Sequence, residues 1–136
     1  MKDAVRQKST RDAILDATDR LLMRNGYKKM TIDDLAAEVG IGKGSVYLHF
    51  RSKEDIALSR VDRIIERLKN SLQTIAAEPL DAKERLREMI VERVLFRFDS
   101  VQHYTLSLNE MLAVVRPRLL ELRRRHFDEE AGYLLP

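Results

Sequence analysis

Residues 40–53 read Gly-Ile-Gly-Lys-Gly-Ser-Val-Tyr-Leu-His-Phe-Arg-Ser-Lys and gather groups suited to a polyanion. Lys43 and Lys53 can neutralise phosphates, which adds affinity but carries no sequence information. Ser45, Tyr47 and His49 carry hydrogen-bonding groups for phosphates or base edges, and a helix of this width fits the major groove of B-form DNA. Val46 and Phe50 are four residues apart and so share one apolar face. Upstream, Thr31 has the residue type and spacing of a helix N-cap. Its hydroxyl there would stand beside free backbone N–H groups, a ready place for one phosphate. Taken alone, a helix of this composition is more often the solvated side of a bundle, with Tyr47 and His49 partly packed. The glycines in front of it and the short element before them favour DNA.

A nucleotide-binding loop is the competing chemistry for a glycine cluster, and the spacing argues against it. Gly40-x-Gly42-x-Gly44 is not G-x-G-x-x-G, and Gly42-Lys43-Gly44-Ser45 lacks the span of G-x-x-x-x-G-K-[ST]. Both motifs also follow a strand, whereas residues 32–39 read as a capped helix.

The elements that would position these groups are all helical, with no alternating strand pattern to compete. Residues 1–8 are polar and are expected to form a frayed arm. Ser9 with Asp12 reads as a cap, followed by Ile14, Ala17, Thr18, Leu21 and Leu22 on one face and a stop at Asn25-Gly26. Thr31 with Asp34 has capping-box spacing and opens a short helix carrying Ile32, Leu35, Ala36 and Val39. Gly40 then turns the chain into a second helix, from residue 43 or 44 to 50, an arrangement of helix-turn-helix type. Ser52 with Asp55 opens a long helix ended by Pro79. Asp81 and Glu84 open another, which is apolar on several sides near Val91, Val94, Leu95, Phe96 and Phe98 and is therefore expected to be buried. Residues 103–114 read as a further helix, and Pro117 as the first turn of a last one.

The totals bound the class. With 136 residues and 44% apolar content, the chain suits one domain or one and part of another. There is no cysteine, hence neither a disulfide framework nor a thiolate metal site. No apolar run approaches a membrane span and no signal peptide is visible, so a cytoplasmic location is expected, with no membrane partner. Residues 1–60 hold 12 Lys and Arg against 9 Asp and Glu, while residues 61–136 hold 13 of each. The whole surplus of positive charge thus lies with the glycine-rich turn, which accords with a nucleic-acid partner.

Residues 10–63 resemble the DNA-binding head of the TetR/AcrR family of transcriptional regulators. The matching motifs are Ile14-Leu15-Asp16-Ala17, Asn25-Gly26-Tyr27, Thr31-Ile32-Asp33-Asp34-Leu35-Ala36, and the run from Val39 through Phe50 with Ser52-Lys53-Glu54. The resemblance implies an all-α fold: a three-helix head over residues 8–62, a long linking helix, and a helical ligand-binding and dimerisation domain over residues 63–136. By position, Thr31, Lys43, Tyr47, His49 and Lys53 would contact phosphates. Lys43, Gly44, Ser45 and Tyr47 would lie nearest the bases, with Gly44 letting the helix backbone approach the groove. Implied partners are a palindromic double-stranded operator, a small-molecule effector and a second copy of the chain. Family members are typically longer, and their last two helices form the dimer interface. This sequence stops at Pro136, after about a seventh helix, so a truncated product or a shortened regulatory domain is expected.

No enzyme, cofactor or metal centre is expected: His49, His103 and His126 are far apart, without companions at ligand spacing. Phe96, Phe98, Tyr104, Met111 and Phe127 are candidates to line an effector pocket, though each also fits plain core packing. Arg123-Arg124-Arg125 fits an exposed face near a helix C-terminus. The reading is a ligand-responsive, DNA-binding regulator, most simply a repressor. The alternative is a helical interaction or dimerisation module with little DNA affinity of its own.

Overall fold

In the computed structural model the described residues are 2–102 and 105–133, and these form six helices. They are α1 (Lys2–Lys29), α2 (Ile32–Val39), α3 (Lys43–His49), α4 (Lys53–Ala77), α5 (Ala82–Gln102) and α6 (Thr105–Gly132). The described residues contain no strand, and none of their helices is long and apolar enough to cross a membrane. The all-α expectation holds.

Two compact units divide the chain: Met1–Arg60 with Tyr104–Val115, and Val61–His103 with Arg116–Pro136. Helices α4 and α6 each contribute to both.

In the first unit, α1 begins at Lys2, which corrects the expected frayed arm. Lys, Ala, Arg and Gln in this stretch are strong helix formers. Thr10 Oγ1 donates to the Arg6 carbonyl at 3.0 Å, so Ser9 and Asp12 lie inside the helix instead of capping it. The buried face of α1 carries Ile14, Leu15, Ala17, Thr18, Leu21 and Leu22. Thr18 spends its hydroxyl on the Ile14 carbonyl, 2.8 Å away, and so leaves no unpaired donor in the core. The helical run breaks at Gly26, whose φ of 77° and ψ of 170° suit a residue without Cβ. Tyr27 and Met30 are buried just beyond it.

Helix α2 is closed at both ends by bonds its own sequence supplies. The Asp34 N–H donates to Thr31 Oγ1 at 3.0 Å, and the Thr31 N–H donates to Asp34 Oδ2 at 3.1 Å, a complete capping box. At the other end Gly40 is left-handed, with φ 79°. The Ile41 and Gly40 N–H groups return to the Ala36 and Ala37 carbonyls at 3.0 and 3.2 Å, a Schellman closure. Helix α4 is capped at its start by Ser52, whose Oγ accepts from the Asp55 N–H at 3.1 Å, while Asp55 Oδ2 accepts from the Arg51 N–H at 3.0 Å. Arg60, buried on α4, is ion-paired with Asp19 of α1.

In the second unit, Leu68 and Leu72 of α4 meet Met89 of α5, with Ile75, Phe96 and Tyr133 packed against them. The Glu84 N–H caps on Asp81 Oδ1 at 2.8 Å, as the spacing predicts. Two expectations fail here. The apolar residues of α5 are not enclosed: Leu86, Ile90, Val91 and Leu95 are exposed, and Val94 is 63% exposed. A helix apolar on several sides needs cover on several sides, and within one chain α5 receives it mainly on the side of Met89 and Phe96. The second failure is at Pro117, which lies within α6, so residues 105–132 form one helix where two were expected. Proline removes one i→i−4 bond. Ala113, Arg116 and Pro117 are all exposed, so water can replace the lost donor at that turn.

Candidate nucleic-acid interface

Helix α3 is held by two side chains. Val46 is 0% exposed and Phe50, its C-cap, is 2% exposed. Arg11 of α1 stands over the Phe50 ring, 5.1 Å from its centroid. With that face fixed, Gly44, Tyr47 and Leu48 must turn outward, and they are exposed, as is Lys43 in the first turn. Tyr47 is 48% and Leu48 84% exposed. Ser45 and His49 lie at the margins of this face, each half-buried. Their positions follow from the helical period, which sets residues 46 and 50 on one side and 44, 47 and 48 on another.

Gly44 is informative because nothing inside the chain requires it. An added Cβ would meet no atom within 4 Å, and φ is not positive there. Glycine inside a helix costs roughly 1 kcal/mol relative to alanine. A glycine kept against that cost, on an exposed face with open space around it, fits a surface that another molecule approaches closely.

Lys43 Nζ pairs with Asp33 Oδ2 at 3.2 Å, which brings the start of α3 beside the start of α2 and hence near Thr31. Both partners are half-exposed or more. Exposed pairs of this kind contribute about 0–1 kcal/mol, so a phosphate can displace the aspartate. Thr31 is exposed, but its oxygen already accepts from Asp34, and its own N–H is taken by the Asp34 carboxylate. What remains for a phosphate is the Thr31 hydroxyl proton with the first N–H groups of α2.

Lys53 behaves differently from the lysine at the other end of the stretch. Its Nζ donates to the Lys28 carbonyl at 3.3 Å and lies 4.4 Å above the Tyr27 ring. Burial holds its pKa below the ordinary lysine value, opposed in part by the Glu110 carboxylate. Burial, followed by the charge of Glu54, raises the Tyr27 phenol above its usual range. Lys53 thus ties the start of α4 to the end of α1 as well as offering charge.

The structure therefore sets Lys43, Gly44 and Tyr47 on one exposed face with Ser45 and His49 at its edges, and Thr31 beside its start. Leu48 is the residue of that face that the sequence reading passed over, because an apolar side chain in a helix reads as core. The signal was in the spacing, since residue 48 follows 44 by one turn on the side away from Val46. The pocket candidates fall in both units. Phe96 is packed against the core of the second unit, Met111 is buried in the first, and Tyr104 lies outside the described residues. Phe98 also falls where side chains are not described, and Phe127 is exposed, with Arg93 over its ring at 4.7 Å.

Residues 14–59, which contain α2 and α3, match the family described as bacterial regulatory proteins, tetR family. The fatty acid metabolism regulator protein of Bacillus subtilis is 30% identical over 131 residues, covering 89% of this chain and 60% of its own length. The HTH-type transcriptional regulator EthR of Mycobacterium tuberculosis is 36% identical over 69 residues, covering 51% of this chain and 32% of its own. The chain thus spans 60% or less of the length of either relative. A TetR-family transcriptional regulator from Vibrio parahaemolyticus superposes with a TM-score of 0.64 at 24% identity, over 91% of this chain and 67% of that one. At that identity the likeness concerns the fold.

Proposed function

We infer, from the premise that this chain belongs to the tetR family of bacterial regulatory proteins, that it is a sequence-specific DNA-binding regulator, most simply a repressor, with α3 as its reading helix. The observation that carries this is the exposed face of α3 around Gly44, where the chain keeps a glycine that its own packing does not call for. In this reading the backbone at Gly44 lies against the groove. Lys43, Ser45 and Tyr47 reach base edges, and Thr31, His49 and Lys53 hold phosphates. Two copies then read a palindrome with half-sites one helical turn apart, or a multiple of it. An effector acts by binding one arrangement of the two heads better than the other. The name of the B. subtilis relative makes fatty-acid metabolites the first class to screen. A cytoplasmic location follows from the same reading.

The test is a mobility-shift titration at two salt concentrations. Specific binding that weakens with salt supports the regulator. Absence of specific binding at both concentrations, together with a stable hetero-oligomer, supports instead a helical interaction module. The exposed apolar face of α5 is the observation that favours that second reading. Tyr47→Phe and Lys43→Ala are each expected to weaken operator binding by roughly 1–3 kcal/mol with the melting temperature unchanged.

A further inference from the structure

The second unit contains a polar cluster that DNA binding does not use. Asp62 and Glu66 stand one turn apart on α4, and His126 of α6 is set against them, only 3% exposed. His126 Nε2 lies 3.0 Å from Asp62 Oδ1. A carboxylate only accepts, so Nε2 carries a proton in this contact, and in the neutral tautomer with that proton Nδ1 is left with its lone pair. Nδ1 is buried and has no hydrogen-bond partner. It faces Glu66 Oε1 at 3.9 Å, an acceptor against an acceptor. One potential ligand atom from each of the three residues lies within 4.8 Å of the other two. Something positively charged is called for between Nδ1 and Glu66.

We propose that Asp62, Glu66 and His126 form a binding site for a divalent transition-metal cation of the zinc type. His126 Nδ1 and the Glu66 carboxylate are its protein ligands, and Asp62 holds the imidazole through Nε2–H. The carboxylate–histidine–metal relay is the usual way a protein fixes the tautomer of a ligating histidine. Imidazole beside carboxylate suits zinc and its neighbours, whereas magnesium and calcium take oxygen ligands. The local charges agree. Lys69 Nζ is 3.1 Å from Glu66 Oε1 and is also paired with Glu129, and Arg125 Nη2 is 3.8 Å from Asp62. The carboxylates of Asp62, Glu66 and Glu129 thus face the cations of Lys69 and Arg125. A metal ion at Nδ1 leaves Lys69 on Glu129, its other partner, and water completes the coordination. His126 is 64 residues from Asp62 in the chain, so only the fold brings the three together.

The rival is a second proton on Nδ1, giving a histidinium between two carboxylates. Calorimetric titration and thermal melting of the full chain, stripped by a chelator and then given zinc or magnesium at pH 7.5, separate the two. Zinc is expected to bind one per chain and, well above its Kd, to raise the melting temperature by roughly 5 °C or more, with no response to magnesium. His126→Gln and Glu66→Gln are expected to lose the zinc response, and Asp62→Asn to weaken zinc binding about 10- to 100-fold. Glu66, partly exposed, keeps the test open if His126→Gln fails to fold. No zinc binding by the wild-type chain would overturn the proposal, as would zinc binding unchanged in Glu66→Gln. So would an Nδ1 that ¹⁵N spectra show protonated at pH 7.5 while zinc has no effect. None of these readouts depends on operator binding.

Discussion

Helices α3 and α5 manage apolar residues in opposite ways. The seven-residue α3 buries Val46, closes on Phe50 and leaves Leu48 as its exposed large apolar side chain. The 21-residue α5 buries Met89 but exposes Leu86, Ile90, Val91, Val94 and Leu95. The short helix is a finished part of its unit, and the face it exposes, Leu48 apart, is the one proposed above to meet DNA. The long helix is under-covered, and its exposed face has the chemistry of a surface that other helices cover. Two surface chemistries therefore occupy separate stretches of one small chain: hydrogen-bonding groups and charge on α3, apolar area on α5.

The sharpest way to break this contrast is Phe50→Ala. A buried aromatic that anchors a seven-residue helix should cost about 3–5 kcal/mol, read as a drop in denaturant midpoint, with operator binding lost along with the head. A loss under 1 kcal/mol would mean that α3 is not held by this face.

Gly44→Ala should act in two directions at once. The open space around Gly44 predicts a gain of roughly 0.5–1 kcal/mol in stability. The same methyl should weaken operator binding by tenfold or more. Stability and binding moving together would contradict the role given to that glycine.

On α5 the expectation is reversed. Ile90→Ser with Val94→Ser should change the stability of the isolated chain by less than about 0.5 kcal/mol per site, while reducing self-association in sedimentation. A large loss of stability would show that these side chains are already covered within one chain.

The smallest effect concerns Glu38, whose carboxylate accepts from Arg20 Nε at 3.0 Å and from Arg24 Nη2 at 2.6 Å. These bonds hold its pKa below the ordinary 4.5. Its contribution is therefore fully present above about pH 4.5 and is lost as pH falls through the lower folded-state value. Melting curves of Glu38→Gln should fall below wild type at pH 6 and converge with it as the solution is acidified.

What was legible before the structure was what neighbours in sequence decide. The box at Thr31–Asp34, the caps at Ser52 and Asp81 and the turn at Gly40 each close over three to five residues, so their spacing was sufficient. The outward face of α3 was equally local, apart from Leu48. The failures have distant causes. Pro117 reads as a start, yet strong helix formers on both sides carry α6 through it. Ser9 with Asp12 is a plausible cap until residues 2–8 prove helical. The exposure of Val94 depends on what other elements do not cover, and the meeting of His126 with Asp62 on how α6 runs past α4. Lys53 looked like a free cation, and only the nearness of Tyr27 and the Lys28 carbonyl showed its second role.

The first unit is not one continuous piece of chain. Met111 and Val115 of α6 are buried members of it, and Glu110 accepts from the Lys28 backbone N–H at 3.4 Å. A gene cut after codon 60 would therefore remove part of the head along with the remainder. The excised fragment should exchange its α1 amide protons faster than the same residues in the whole chain. For anyone dissecting the molecule, the unit that holds α3 is not a detachable stretch: its buried side chains at Met111 and Val115 are translated 62 and 66 residues after α3 ends at His49.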